Sequence, residues 1–154
     1  MSTSVKIMSV AKIYDGESND MFIPKKAHES DAAYDVKSTI DIEIEPGCVS
    51  LIPAGFKIQL QSNYEAQIRP RSGNALKRSI MVANSPGTID SGYRGEVGVI
   101  LYNAGKSPVQ IKRGDNIAQM VISEIPMVDM TIVDSLDDSD RGEHGFGSTG
   151  LAGK

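Results

Sequence analysis

Tryptophan is absent from this 154-residue chain, cysteine occurs once and histidine twice. Cys48 alone cannot close an intrachain disulfide, and with His28 and His144 far from it in sequence no Cys/His metal cage is spelled out. A single thiol fits a reducing compartment, so the expected setting is cytoplasmic, or nuclear if the source is eukaryotic. Five tyrosines and three phenylalanines are the whole aromatic complement, so aliphatic side chains must build the core. No apolar run approaches the ~20 residues of a membrane helix, and Met1 to Val10 lacks the apolar stretch of a signal peptide. Basic residues do not predominate either: 16 Lys and Arg face 20 Asp and Glu, for a net charge of −4. That balance excludes a sequence-independent nucleic-acid binder, which needs a basic face. Cations do gather locally, at Arg69, Arg71, Lys77 and Arg78.

What is present is alternation. Ile40, Ile42 and Ile44 interleave with Asp41, Glu43 and Glu45 before Pro46-Gly47 breaks the chain. Phe56, Ile58 and Leu60 alternate with Lys57, Gln59 and Gln61, and Tyr64, Ala66 and Ile68 with Glu65, Gln67 and Arg69. Val97, Val99 and Leu101 follow, then the mostly apolar run Ile117 to Ile122, then Val128, Met130 and Ile132. Period-two runs between Gly and Pro turns predict an all-β sandwich or barrel. One short helix is predicted over Asn74 to Ile80, with Ser72 or Gly73 near its start. Asp134 to Asp140 is an acidic linker, and Arg141 to Gly150 is too rich in glycine to form a core element.

Four stretches carry candidate chemistry. In the tail, Arg141 offers a fork suited to phosphate. Gly147, Ser148 and Thr149 offer backbone and hydroxyl donors, and Phe146 a ring that would stack on a nucleobase. A disordered Gly/Ser tail explains the same composition about as well. In Arg69-Pro-Arg-Ser-Gly-Asn74 a strand ends and a helix opens, which makes an anion site or a plain N-cap. In Asn84-Ser-Pro-Gly-Thr-Ile-Asp-Ser-Gly-Tyr-Arg-Gly95, Asp90 is either a general base or turn chemistry. Asp35, in Asp31-Ala-Ala-Tyr-Asp-Val-Lys-Ser38, reads as another turn acid.

Taken in chain order, and with Gly114 to Gln119 beside them, the stretches resemble the five motifs of the trimeric deoxyuridine triphosphatases (dUTPases). The first is Ala32 to Ser38, the second Pro70 to Gly73, and the third Gly87 to Gly95. The fourth is Gly114 to Gln119 and the fifth Arg141 to Gly150. The chain departs from the pattern at Ala33, Gly92, Asn116 and His144. The resemblance implies a jelly-roll-like β-barrel over residues 1–136 that includes a C-terminal strand exchanged with a neighbour. Residues 137–154 would form a mobile tail closing a neighbouring site. It further implies a homotrimer whose three sites each draw on all subunits. The implied reaction converts dUTP and water to dUMP and pyrophosphate, which keeps uracil out of DNA and supplies dUMP for dTMP synthesis. Asp90 would activate the water that strikes the α-phosphorus. Mg²⁺ would sit on the triphosphate and meet Asp35 through water. Arg71, Ser72, Gly73 and Gln119 would hold phosphate oxygens, and Arg141, Gly147, Ser148 and Thr149 would cap the β/γ end. A hairpin from about Asn84 to Val99, with Gly87, Thr88, Ile89 and Gly98, would read the uracil edge. Tyr93 would pack under the deoxyribose and Phe146 on the base. The alternatives are a dCTP deaminase-like enzyme of the same fold and a regulatory nucleotide-binding protein.

Overall fold

A computed structural model describes residues 3–146. Eleven strands and one helix follow in the order β1 (Lys6–Ser9), β2 (Tyr34–Lys37), β3 (Ile42–Ile44), β4 (Val49–Pro53), β5 (Phe56–Gln59), β6 (Tyr64–Arg69), α1 (Ser72–Arg78), β7 (Ile80–Val82), β8 (Gly87–Ile89), β9 (Gly98–Asn103), β10 (Val109–Ile111) and β11 (Asn116–Glu124). They make a four-stranded sheet β2-β11-β6-β8, a three-stranded sheet β4-β9-β7, and the pairs β1-β5 and β3-β10. The predicted all-β, jelly-roll-like class is what the chain adopts. Within the described residues the ladders do not join into one closed barrel. No described helix is long and apolar enough to cross a membrane.

The alternating runs each bury one set of side chains. Phe56 and Ile58, Ala66 and Ile68, and Val99 and Leu101 all enter one aliphatic core. The predicted helix is present but shifted, ending at Arg78, with Ser79 as a left-handed cap at φ 54°. Ile80 instead opens a strand, because its side chain is buried in the core whereas α1 buries none of its residues. Strands β1, β4, β7 and β8 carry little or no alternation of their own, and β2 and β10 alternate over only four and three residues, so all six are fixed by their ladder partners.

β11 departs from alternation at its start. A bulge between Asn116 and Ala118 in the β2 ladder lets Ile117 and Ala118 both enter the core. From there the period of two resumes, so Gln119 points away from the core while Met120 points into it. A bulge spends one extra residue to change which face follows.

Gly55 stands where three segments cross. Its φ of +81° is left-handed, and a β-carbon there would lie 2.7 Å from Thr39 and 2.8 Å from Ala11. Its carbonyl accepts hydrogen bonds from the N–H groups of Val10 and Ala11, while its own N–H donates to a Glu96 carboxylate oxygen. Only glycine satisfies both the dihedral and the space.

Arg113, in the turn before β11, ties the N-terminal segment to the sheet. Its guanidinium lies between the Tyr14 and Phe22 rings, 4.8 and 4.6 Å from their centroids. It donates to the carbonyls of Lys12 and Thr39 and to both carboxylate oxygens of Glu17, at 2.8 and 2.7 Å. Asn103 does similar work inside the core. Fully buried, its amide donates to the carbonyls of Ile44 and Ser107 and accepts from the N–H of Gly105.

Two apolar surfaces have no cover among the described residues. Val49 and Leu51 on β4 share a sheet face with Tyr102, Ile100 and Met81, and are 60% and 67% exposed. Beyond Glu124 no strand forms among the described residues. Met130 and Ile132 are 95% and 99% exposed, because an extended segment needs another strand's edge and this one meets none here.

The Glu17 carboxyl titrates at about 2, below its ordinary 4.5, first through the Arg113 hydrogen bonds and next through the Tyr14 N–H. A depressed folded pKa adds stability above the ordinary carboxylate range, and that stability is lost as pH falls toward 2. Thermal melts of Glu17→Gln should therefore lie below those of the parent chain at pH 7. The gap should close between pH 4.5 and about 2; a gap that does not change with pH in that window would refute the ion-pair account.

Candidate functional site

One end of the four-stranded sheet aligns a polar row. Asp35 on β2 pairs in register with Gln119 on β11, and Gln119 with Arg69 on β6. After Arg69 the chain turns at Pro70, whose carbonyl accepts a hydrogen bond from Gln119 Nε2 at 2.8 Å. That bond holds the segment entering α1 against β11. Arg71 then folds back over the row, and its Nε lies 3.3 Å from Asp35 Oδ1. The Asn116 carbonyl, at the bulge, accepts from Asn74 Nδ2 at 3.0 Å and from Arg71 Nη1 at 3.5 Å. The Asn116 side-chain oxygen is buried and has no partner among the described residues.

These residues enclose a cavity of about 400 Å³ lined by Asp35, Arg71, Ser72, Gly73, Asn74 and Gln119. No side chain caps the start of α1. Ser72, Gly73 and Asn74 of its first turn line the cavity beside Arg71. This donor set suits the oxygens of a polyphosphate.

A second cavity, of about 270 Å³, is lined by Leu51, Thr88, Ile89, Asp90, Tyr93 and Gly98. β8 and β9 flank it but belong to different sheets, so the stretch expected as a hairpin from Asn84 to Val99 is not one. β8 pairs with β6 and β9 with β4 and β7, because both of these strands bury residues in the core and must each find a sheet. The Tyr93 hydroxyl donates to the Glu96 carbonyl at 2.9 Å, and the ring lies so close to Gly95 that any β-carbon there would collide with it. Gly98 is pressed by Leu51, 2.7 Å from where a β-carbon would stand. Asn84 and Gly87 pack on each other at the start of β8 rather than lining this cavity.

The two cavities share no residue and lie at opposite ends of the sheet. Ile89 pairs with Ala66, so Asp90 falls beyond it, toward Glu65, whereas Asp35 sits level with Arg69. Three strand spacings of about 4.8 Å and four residues of about 3.4 Å separate Asp90 from Asp35 by roughly 20 Å. The sequence-predicted residues thus divide into an anion group and a base-and-ring group. Arg141 and Phe146 join neither: Arg141 Nε donates to the His144 carbonyl, and Phe146 is fully exposed at φ 49°. Gly147, Ser148 and Thr149 lie outside the described residues. The sequence reading missed Asn74, Leu51 and Glu96. Asn74 and Glu96 sat inside quoted stretches but act through long-range contacts, and an exposed leucine gives no signal of its own.

The dUTPase family profile matches residues 19–150. The deoxyuridine 5'-triphosphate nucleotidohydrolase of Gloeothece citriformis is 54% identical over 129 residues, covering 84% of this chain and 89% of the relative. That of Clostridium tetani is 53% identical over 131 residues, covering 85% and 90%. Among solved structures, the dUTPase of Staphylococcus bacteriophage 80alpha with dUPNHPP superposes with a TM-score of 0.83 at 23% identity, covering 97% of this chain and 100% of that one. A mutant dUTPase from phage phi11 of S. aureus, described as coordinating a structural Mg(II) ion, gives a TM-score of 0.75 at 21% identity over 88% and 99%. The five motifs, the fold and relatives that share half their residues along nearly their full length agree: this chain belongs to the dUTPase family.

Proposed function

We propose that the chain hydrolyses dUTP to dUMP and pyrophosphate, in the cytoplasm, as a homotrimer whose sites are shared between subunits. The observation that carries this reading is the cavity at the start of α1, where Arg71, Ser72, Gly73 and Gln119 converge in a member of the dUTPase family. Asp90 takes a proton from the water that forms the new bond to the α-phosphorus, and the bond from that phosphorus to the bridging oxygen breaks as pyrophosphate leaves. A base must stand within about 3 Å, or one water, of the proton it accepts. The roughly 20 Å between Asp90 and Asp35 within one chain therefore supports a site completed by a second copy. The uncovered face of β4, β9 and β7 and the unpaired apolar segment after Glu124 support the same assembly, the segment adding a strand to a neighbour.

The residues present fit a cation held mainly by substrate. Among the described residues no group of three or more acidic, His or Cys side chains gathers, and Asp35 is engaged by Arg71. A single carboxylate acting through water, with phosphate oxygens supplying the rest, is the usual donor set for Mg²⁺. When bound, Mg²⁺ would neutralise triphosphate charge and orient the leaving group. Arg71 and the start of α1 grip the phosphates, and Arg141, Gly147, Ser148 and Thr149 close over the β/γ end. Thr88, Ile89 and Gly98 present backbone groups to the uracil edge, with Asn84 and Gly87 setting the start of β8. Tyr93 lies under the deoxyribose, leaving no room for a 2′-hydroxyl, and Phe146 covers the base.

With Mg²⁺ present, pyrophosphate release should be fast from dUTP and at least about tenfold slower from dCTP, since a mismatched base edge leaves buried polar groups unpaired at about 1–3 kcal/mol each. Equal rates from dCTP, or ammonia release from it, would overturn the assignment in favour of the deaminase chemistry of this fold. Asp90→Asn should lower turnover by about 10²–10⁴-fold while dUTP still binds in calorimetry; unaltered turnover would remove Asp90 as the base. Truncation after Asp140 should remove most activity without changing the sedimentation coefficient class, and a fully active truncated chain would remove the tail from the mechanism.

A further inference from the structure

Opposite the anion cavity, at the other end of α1, lies a shallow groove of about 410 Å³ that the proposed chemistry does not use. Lys77, Arg78 and Ser79 form one wall, and Lys106 and Ser107, in the loop after β9, the other. Arg78 is partly committed, donating to the Gln110 carbonyl and standing 3.8 Å from Asp115. Glu43 is paired with Gln110, a lining residue, across the β3-β10 ladder but does not itself line the groove. Lys77 and Lys106 are exposed and have no ion-pair partner among the described residues. The groove is therefore a net cationic surface on a chain whose overall charge is −4.

One segment of the same sequence has the complementary charge. Asp134, Asp137, Asp138 and Asp140 fall within seven residues that contain no basic side chain, and all four are exposed. This linker lies off the groove of its own chain, and it leads directly into the tail. We propose that the acidic linker of a second copy docks in the Lys77–Lys106 groove, setting the start of the tail beside the anion cavity of the chain it covers. The lengths agree. α1 spans about 10 Å, so the groove and the anion cavity are that far apart. The six residue steps from Asp140 to Phe146 reach up to about 20 Å when extended. Docking at the groove leaves the tail enough chain to cross α1 and cover the phosphates. A cationic rail also limits the volume the tail explores, which raises its effective concentration at the site.

The inference rests on the reading of the tail as a lid, and its test does not depend on activity. The full chain is digested with an arginine-specific protease, and release of the fragment after Arg141 is timed at about 20 and 300 mM NaCl, where the screening length falls from about 20 to about 6 Å. Docking should slow cleavage at low salt by about fivefold, the effect expected of a few surface ion pairs. High salt should abolish that protection, and so should Lys77→Glu/Lys106→Glu. Combining that pair with Asp137→Lys/Asp138→Lys should restore it. Equal cleavage in parent and Lys77→Glu/Lys106→Glu chains, or no restoration in the charge-swapped chain, overturns the proposal. Carbodiimide cross-linking of trimers co-assembled from unlabelled and ¹⁵N-labelled chains identifies the donor. Linker–groove cross-links of mixed isotope support a second copy, and like-isotope links alone overturn it. A lid that proves dispensable in the truncation assay would remove the function of this docking while leaving the protection itself measurable.

Discussion

The register of β11 is the constraint on which the site depends. This strand pairs with β2 on one side and β6 on the other. Its bulge sets the parity so that Gln119 faces outward, level with Asp35 and Arg69. A slip of one residue would turn Gln119 into the core and Met120 out. The Gln119 bond to the Pro70 carbonyl would go with it, and so would the path that brings Arg71 over Asp35. The burial of Ile117, Ala118 and Met120 holds the register in place, so packing energy in the core is what positions polar groups on the surface.

Two further ties keep the loops around that sheet from drifting. Arg113 anchors the N-terminal segment through carbonyls, a carboxylate and two rings. Gly55 lets that segment, the β4–β5 turn and Glu96 approach one another more closely than any side chain would allow. Neither lines the anion cavity, yet each is tied to an element that borders one of the two cavities. Glu96 belongs to the wall that holds Tyr93, and the turn of Arg113 leads directly into Asn116.

Asp90 lies apart from Asp35, Arg71 and Gln119 in the single chain, and the exposed apolar surfaces are what the proposed assembly would cover. A single chain holds the Arg71–Gln119 cavity without Asp90 and the Asp90 cavity without Arg71. Association that covers Val49, Leu51 and the segment after Glu124 would remove apolar area from water, and the same contact would bring the halves together. In the proposed assembly, stability and completion of the site would be one event. The proposed docking of the acidic linker in the cationic groove would add direction to the last step, the arrival of the tail.

Much of this was legible in the residues alone. Alternation in Phe56–Gln61, Tyr64–Arg69 and Val97–Leu101 determined strands and their buried faces, because a pleated backbone sends neighbouring side chains to opposite sides. The order of the five motifs determined the family. The short strands β2, β7, β8 and β10 were not legible, since their pairing is decided by partners distant in sequence. Nor was the helix boundary, because Ile80 obeys the core rather than helical propensity. The tertiary structure alone decided that Asp35 and Arg71 meet while Asp90 stays apart, for ladder register is a property of paired strands and no single strand contains it.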